Sequence, residues 1–154
     1  QSRNFDNWEW SDMSEQYDHI LGGTFKTTKT MLPLLKRGKG KIINIVSTAA
    51  LGRTAHGWLP YVSAKAALIA FSKNLAQELG PKGIKVNMVS PSMVNTNLVM
   101  DVPQRYKDMA IANTPLRDMA TEKDVANAVL FLASPLSDFI SGENIIVSGG
   151  AVMQ

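Results

Sequence analysis

Cysteine is absent from all 154 residues, so no disulfide staples this chain and no thiolate can hold zinc or an iron–sulfur cluster. Only two histidines occur, His19 and His56, and neither has the carboxylate or histidine spacing of a metal site. Any redox chemistry must then come from an organic cofactor. No apolar run approaches the roughly 18 residues that a membrane helix needs. The opening residues, Gln1 to Asp6, also lack the apolar centre of a secretion signal. These absences lead us to expect a cytoplasmic address and no membrane partner. The start at Gln1 instead of Met is what a processed or trimmed product shows. There is no internal repeat and no G-x-G-x-x-G.

Charge of one sign is also scarce. Sixteen Lys and Arg against thirteen Asp and Glu leave +3, too little to imply a nucleic-acid partner. The one local excess is Lys26, Lys29, Lys36, Arg37, Lys39 and Lys41. Part of it falls at the end of an expected helix, where cations suit the negative end of the helix dipole. We therefore read it as a solvated helix end.

What is present is an apolar fraction of 45%, enough for one globular domain with a core, and its pattern alternates. Residues 12–36 carry apolar side chains near helical spacing, and Gly22-Gly23 should interrupt that helix, with Pro33 and Gly38 near its end. Residues 41–46 form a short β-branched run that predicts a buried strand. Residues 61–79 predict an alanine-rich helix stopped by Gly80-Pro81, and residues 83–89 a second strand. Thr121-Glu-Lys-Asp124 opens a further helix as a capping box, and residues 143–147 predict a third strand. Strand, helix, strand, helix, strand implies an α/β fold with a parallel sheet and right-handed crossovers. Residues 96–119, with Pro103, Pro115 and three methionines, interrupt this order and are expected to form a substrate lid within a single domain over 1–154.

In open parallel sheets ligands bind beyond the carboxyl ends of the strands, which selects particular residues. The first strand runs into Ser47, and the second into Ser90-Pro-Ser-Met-Val-Asn-Thr96. The intervening helix opens with Tyr61-Val-Ser-Ala-Lys65, whose spacing puts phenol and ammonium on one face. A cation beside a phenol favours phenolate, which makes tyrosine usable for proton transfer near neutral pH. His56 and Trp58 lie between Ser47 and Tyr61, and Trp8 and Trp10 precede the first helix. Any of them could border a pocket, although loop aromatics are more often simply packed.

Taken in order, Ile42-Ile-Asn-Ile-Val-Ser47, Tyr61-Val-Ser-Ala-Lys65, Val86-Asn-Met-Val-Ser-Pro91, Phe131-Leu-Ala-Ser134 and Gly149-Gly150 resemble the second half of a short-chain dehydrogenase/reductase. Within that family they look most like the 3-oxoacyl-carrier-protein reductase type. The resemblance covers essentially the whole chain. It implies a three-layer, doubly wound, Rossmann-like sheet whose N-terminal βαβ units lie outside these residues, leaving one face and one edge uncovered. It also implies NAD or NADP as cofactor, with NADP favoured, and a small carbonyl or alcohol as substrate. By position, Tyr61 would be the general acid or base and Ser47 would hydrogen-bond the reacting oxygen. Lys65 would assist Tyr61 and hold the nicotinamide ribose. Pro91, Val94 and Thr96 would fix the carboxamide. A homo-oligomer, dimer or tetramer, would form through the helices at 12–36 and 61–79 and the last strand.

Three positions depart from the family's pattern. Its fourth catalytic residue, an asparagine, falls on Ile20; the glycine after the motif proline is Ser92; and the aspartate before the final glycines is Ser148. Ile20 allows an alternative reading, a weak or silent relative kept for assembly or regulation.

Overall fold

The computed structural model describes residues 3–52, 56–96, 99–100 and 102–153. Three parallel strands, β1 (Lys41–Ile45), β2 (Lys85–Pro91) and β3 (Asn144–Val147), lie in the order β1-β2-β3. Lys41 is in register with Lys85, and Met88 with Asn144. On one face pack α2 (Gly23–Gly38) and α3 (Leu59–Leu79), where Leu32, Leu35, Ala76 and Leu79 meet Ile42 and Val86. Asn44 on this face donates to Ser72 of α3 at 2.8 Å. On the other face lies α5 (Glu122–Ala133). There Lys41 donates to the Ser134 carbonyl and, at 2.9 Å, to the Ser137 hydroxyl, and Asn87 donates to the Ile140 carbonyl at 2.9 Å. The result is the expected three-layer α/β arrangement, with Val86, Met88, Val89 and Leu132 fully buried in it.

The two connections cannot both be right-handed. The strands advance in one direction while α3 and α5 cover opposite faces, so the crossovers have opposite hands. The preference for right-handedness arises where a strand feeds directly into the helix that returns it. The second connection first passes through α4 (Gln104–Asn113), which removes that constraint. This helix sits inside the stretch expected to be a lid, of which Asn97, Leu98 and Asp101 lie outside the described residues.

Gly22-Gly23 does not break the first helix, contrary to expectation. α1 (Trp10–Tyr17) continues through a π-turn, Asp18–Gly22, into α2, and both glycines hold right-handed helical angles. The Gly23 N–H reaches back to the Asp18 carbonyl, the mark of one extra residue in the turn. A helical glycine costs about 1 kcal/mol relative to alanine, and packing of this turn and of α1 against α3 outweighs that. Pro33 also sits inside α2, on its exposed side, where water can take the carbonyl it leaves unpaired. Lys41 proves not to belong to a solvated basic patch. It is largely covered and pairs with Asp138 at 2.8 Å, holding the Asp138 carboxyl below the usual carboxylate range chiefly by that hydrogen bond.

Two of the three departures have structural answers. Ser148 is buried, and its hydroxyl donates to the Val152 carbonyl at 3.1 Å while accepting from the Val152 N–H at 3.2 Å, so it closes the last turn itself. Ser92 extends the ladder by donating its N–H to Val147 at 3.0 Å. Gly149 has φ +58°, and a Cβ there would stand 2.7 Å from the Thr114 methyl. Gly149→Ala is expected to cost about 2 kcal/mol in urea unfolding, from left-handed strain plus the clash with a buried neighbour.

Candidate active site

Parallel β2 runs two residues beyond the last paired residue of β1, and Val46 donates to the Val89 carbonyl at 2.8 Å, carrying the pairing one residue past β1. Ser47 follows at once in extended conformation, φ −167°, and caps a short turn by accepting from the Ala49 N–H at 3.2 Å. Its hydroxyl proton is committed to no acceptor among the described residues. Trp58 ends the loop and Pro60 enters the first turn of α3, where a missing N–H costs nothing. Tyr61 and Lys65 then stand one turn apart on α3, with the ammonium 5.8 Å from the phenol ring centre.

Lys65 is the most constrained of these groups. Its ammonium donates to the Ile45 carbonyl at 2.8 Å, fixing the helix start against the last residue of β1. Burial pushes its pKa below the usual 10.5. Two of its three N–H donors stay uncommitted among the described residues.

The segment after β2 forms the other side. Pro91 is opposite Val147, and Val94 bridges Ala120 while Asn95 donates to the Ala120 carbonyl at 3.0 Å. In that pattern the N–H and C=O of Val94 itself take no partner among the described residues. The Thr96 carbonyl accepts from Val99 at 3.1 Å, and its hydroxyl is uncommitted among those residues. Ser47 thus follows β1, Lys65 is bonded to the last residue of β1 with Tyr61 one turn before it on α3, and Pro91, Val94 and Thr96 end or follow the adjacent β2, on the side of the sheet where sequence reasoning expected a ligand.

Two features were not visible in the sequence. The Ile45 carbonyl, as a backbone group, carries no residue signature. The other is a cleft of about 280 Å³ that brings Trp8 and Trp58 beside Pro60 and Tyr61. Trp58 meets Tyr61 edge to face, with centroids 6.2 Å apart and planes at 75°. Arg3 fastens the leading segment there by donating its N–H to Gly57 at 3.1 Å. The aromatic richness around the loop was the available signal, and it selects Trp8 and Trp58 but not Trp10, which is exposed and outside the cleft.

Ile20 lies in the π-turn and lines a separate groove of about 470 Å³ with His19, Thr24 and Asn44. Its carbonyl, the backbone acceptor at this position, already takes both the Thr24 hydroxyl, at 2.8 Å, and the Gly23 N–H. No group of three or more His, Asp or Glu suited to a metal lies among the described residues, and no helix among them is long and apolar enough to cross a membrane.

A family model described as enoyl-(acyl carrier protein) reductase matches residues 1–152. The 3-oxoacyl-[acyl-carrier-protein] reductase of Vibrio cholerae is 34% identical over 146 residues, covering 94% of this chain and 58% of that protein. The (3R)-3-hydroxyacyl-CoA dehydrogenase of Mus musculus is 37% identical, covering 90% and 56%. The crystal structure of a 3-oxoacyl-[acyl-carrier protein] reductase from Brucella melitensis superimposes with a TM-score of 0.90 at 30% identity, covering 99% of this chain and 57% of that one. A Brucella melitensis reductase with bound NAD gives 0.88 at 29%. The chain spans a little over half the length of each of these relatives.

Proposed function

Since the chain belongs to the short-chain dehydrogenase/reductase family, we propose that it is the catalytic portion of an NAD(P)-dependent oxidoreductase that reduces a carbonyl or oxidises an alcohol. The observation that carries this reading is the pairing of Tyr61 with a half-buried Lys65 ammonium at the end of β1. The donor set fits a nicotinamide dinucleotide. A carboxamide both donates and accepts, as do the free N–H and C=O of Val94 and the Thr96 hydroxyl. Pro91 fixes the backbone before them, and the spare donors of Lys65 suit ribose hydroxyls. When bound, the nicotinamide supplies the hydride to the carbonyl carbon or takes it from the alcohol.

The chain's own residues do the rest. Ser47 donates its hydroxyl proton in a hydrogen bond to the substrate oxygen, because its own Oγ is held by accepting from Ala49. Tyr61 gives its phenolic proton to that oxygen during reduction and takes one from it during oxidation, so carbonyl, hydride and proton sum to alcohol. Lys65 places positive charge beside the phenol and so supports the phenolate left after transfer. The resemblance to the carrier-protein reductase type favours NADP over NAD. A homo-oligomer follows from the same family reading, and exposed Phe25 and Met31 on α2, within the helix expected to form the contact, support it. The test is nicotinamide oxidation by the protein with NADPH or NADH and a panel of ketones, with faster turnover expected on NADPH.

Ile20 favours one second reading, a relative with weak or no turnover. The isoleucine offers no polar group and its carbonyl is occupied, so a water beside Lys65 loses one anchor. Ile20→Asn is expected to raise turnover severalfold by restoring that anchor. Absence of turnover in both forms, with folding intact by circular dichroism, favours the silent relative.

A further inference from the structure

The cleft beside Tyr61 is lined by none of Lys65, Pro91, Val94 and Thr96, and its walls are unlike the polar, backbone-lined segment after β2. We propose that it is the pocket that chooses the substrate, and that it selects a neutral ketone or secondary alcohol carrying one ring or two fused rings next to the reacting carbon. The inference rests on the assignment of Tyr61 as proton donor and names the substrate class for that site.

Size is the first argument. Small-molecule pockets commonly run from about 300 to 1,000 Å³, so about 280 Å³ lies at the small end and has room for one or two rings. The walls are the second. Trp58 is held on one side by its edge-to-face contact with Tyr61, yet 46% of its surface stays exposed. An indole fixed in place with an open surface is a platform for a flat partner, and aromatic pairs gain energy beyond the area they bury. Trp8 faces the same space and is kept there by the Arg3 N–H bond to Gly57.

Charge at the rim is the third argument. The Arg3 guanidinium already lies 5.0 Å over the Trp8 ring and pairs with Asp12 at 3.3 Å. Asp12 in turn accepts from the Glu9 N–H at 3.0 Å as part of the α1 capping box. Arg3 is therefore neutralised, and among the described residues Glu15 leaves the lining of the cleft with one net negative charge. A substrate whose far end is a carboxylate or phosphate meets repulsion at that rim.

The test is isothermal titration calorimetry of the protein, with NADP and without it, using 1-tetralone against the linear ketone 2-decanone. Tetralone is expected to bind at least about tenfold more tightly, and Trp58→Ala to weaken it about tenfold, with Trp58→Phe recovering part of the loss. Trp58 is half exposed, so the variants should keep the wild-type circular dichroism. Tyr61→Phe should bind tetralone like wild type while failing to reduce it with NADPH. Equal affinity for both ketones, undiminished binding by Trp58→Ala, or no saturable binding of tetralone overturns the proposal. Should Tyr61→Phe retain full turnover, the proton-donor assignment falls while a ring-selective cleft still stands.

Discussion

Tyr61→Phe is expected to lower turnover by about a thousandfold, within the range that positioned proton transfer contributes. The change deletes one hydroxyl from a half-buried ring that meets Trp58 edge to face, and Phe preserves that contact. No hydrogen bond to the hydroxyl is lost among the described residues, so stability should stay within about 0.5 kcal/mol of wild type. Steady-state kinetics with NADPH and a reducible ketone should therefore show the loss in kcat with KM little changed. Retention of more than about a tenth of the turnover would show that another group donates the proton.

Lys65→Met is expected to abolish turnover as well, by at least about a hundredfold, and yet to make the fold more stable at neutral pH. Burial holds the pKa of Lys65 below 10.5, so the folded protein bears a cost for keeping the ammonium charged. Methionine fills much of the same volume without charge, and water can take the Ile45 carbonyl because that residue is 42% exposed. The sign of the pH dependence follows. Between the lowered pKa and 10.5 the unfolded chain binds more protons than the folded one, so wild-type stability from this group rises with pH across that window. Below the window the cost is present in full. Melting temperatures compared from pH 7 to pH 10.5 should show the Met variant ahead at the acid end, with the gap closing toward the alkaline end. Wild-type activity should fall over the same alkaline window as the ammonium loses its proton. A variant less stable than wild type at pH 7 would mean that the bond to Ile45 outweighs desolvation.

Much of this was legible in the sequence where one local rule decides. The capping box is one such case: Thr121 accepts from the Asp124 N–H while the Asp124 carboxylate accepts from the Thr121 N–H, at 3.3 and 2.8 Å. The strands at Lys41–Ile45 and Asn144–Val147 fall within their expected runs, and β2 begins and ends two residues later than expected. Tyr61 and Lys65 were legible because four-residue spacing on a helix fixes which side chains meet. The rest depends on contacts between distant segments. Glycine propensity wrongly divided the first helix, because the energy that keeps Gly22 and Gly23 helical comes from packing against the distant helix α3. The opposite hands of the crossovers follow from which face α5 covers, and no local pattern records that. Trp8 and Trp58 lie fifty residues apart in sequence, and only the fold brings them to one cleft.

The π-turn at Asp18–Gly22 carries a consequence for how such a protein can change over generations. A π-turn takes one extra residue into a helix while the flanking turns keep nearly the same facing, because its wider turn spends that residue on about the same rotation. Losing one residue there would leave an ordinary helix, with Trp10–Tyr17 still against α3 and Gly23–Gly38 still seated on β1. The bulge is therefore a place where the chain can change length by one codon while the rim of the cleft, the tyrosine and the lysine stay where they are.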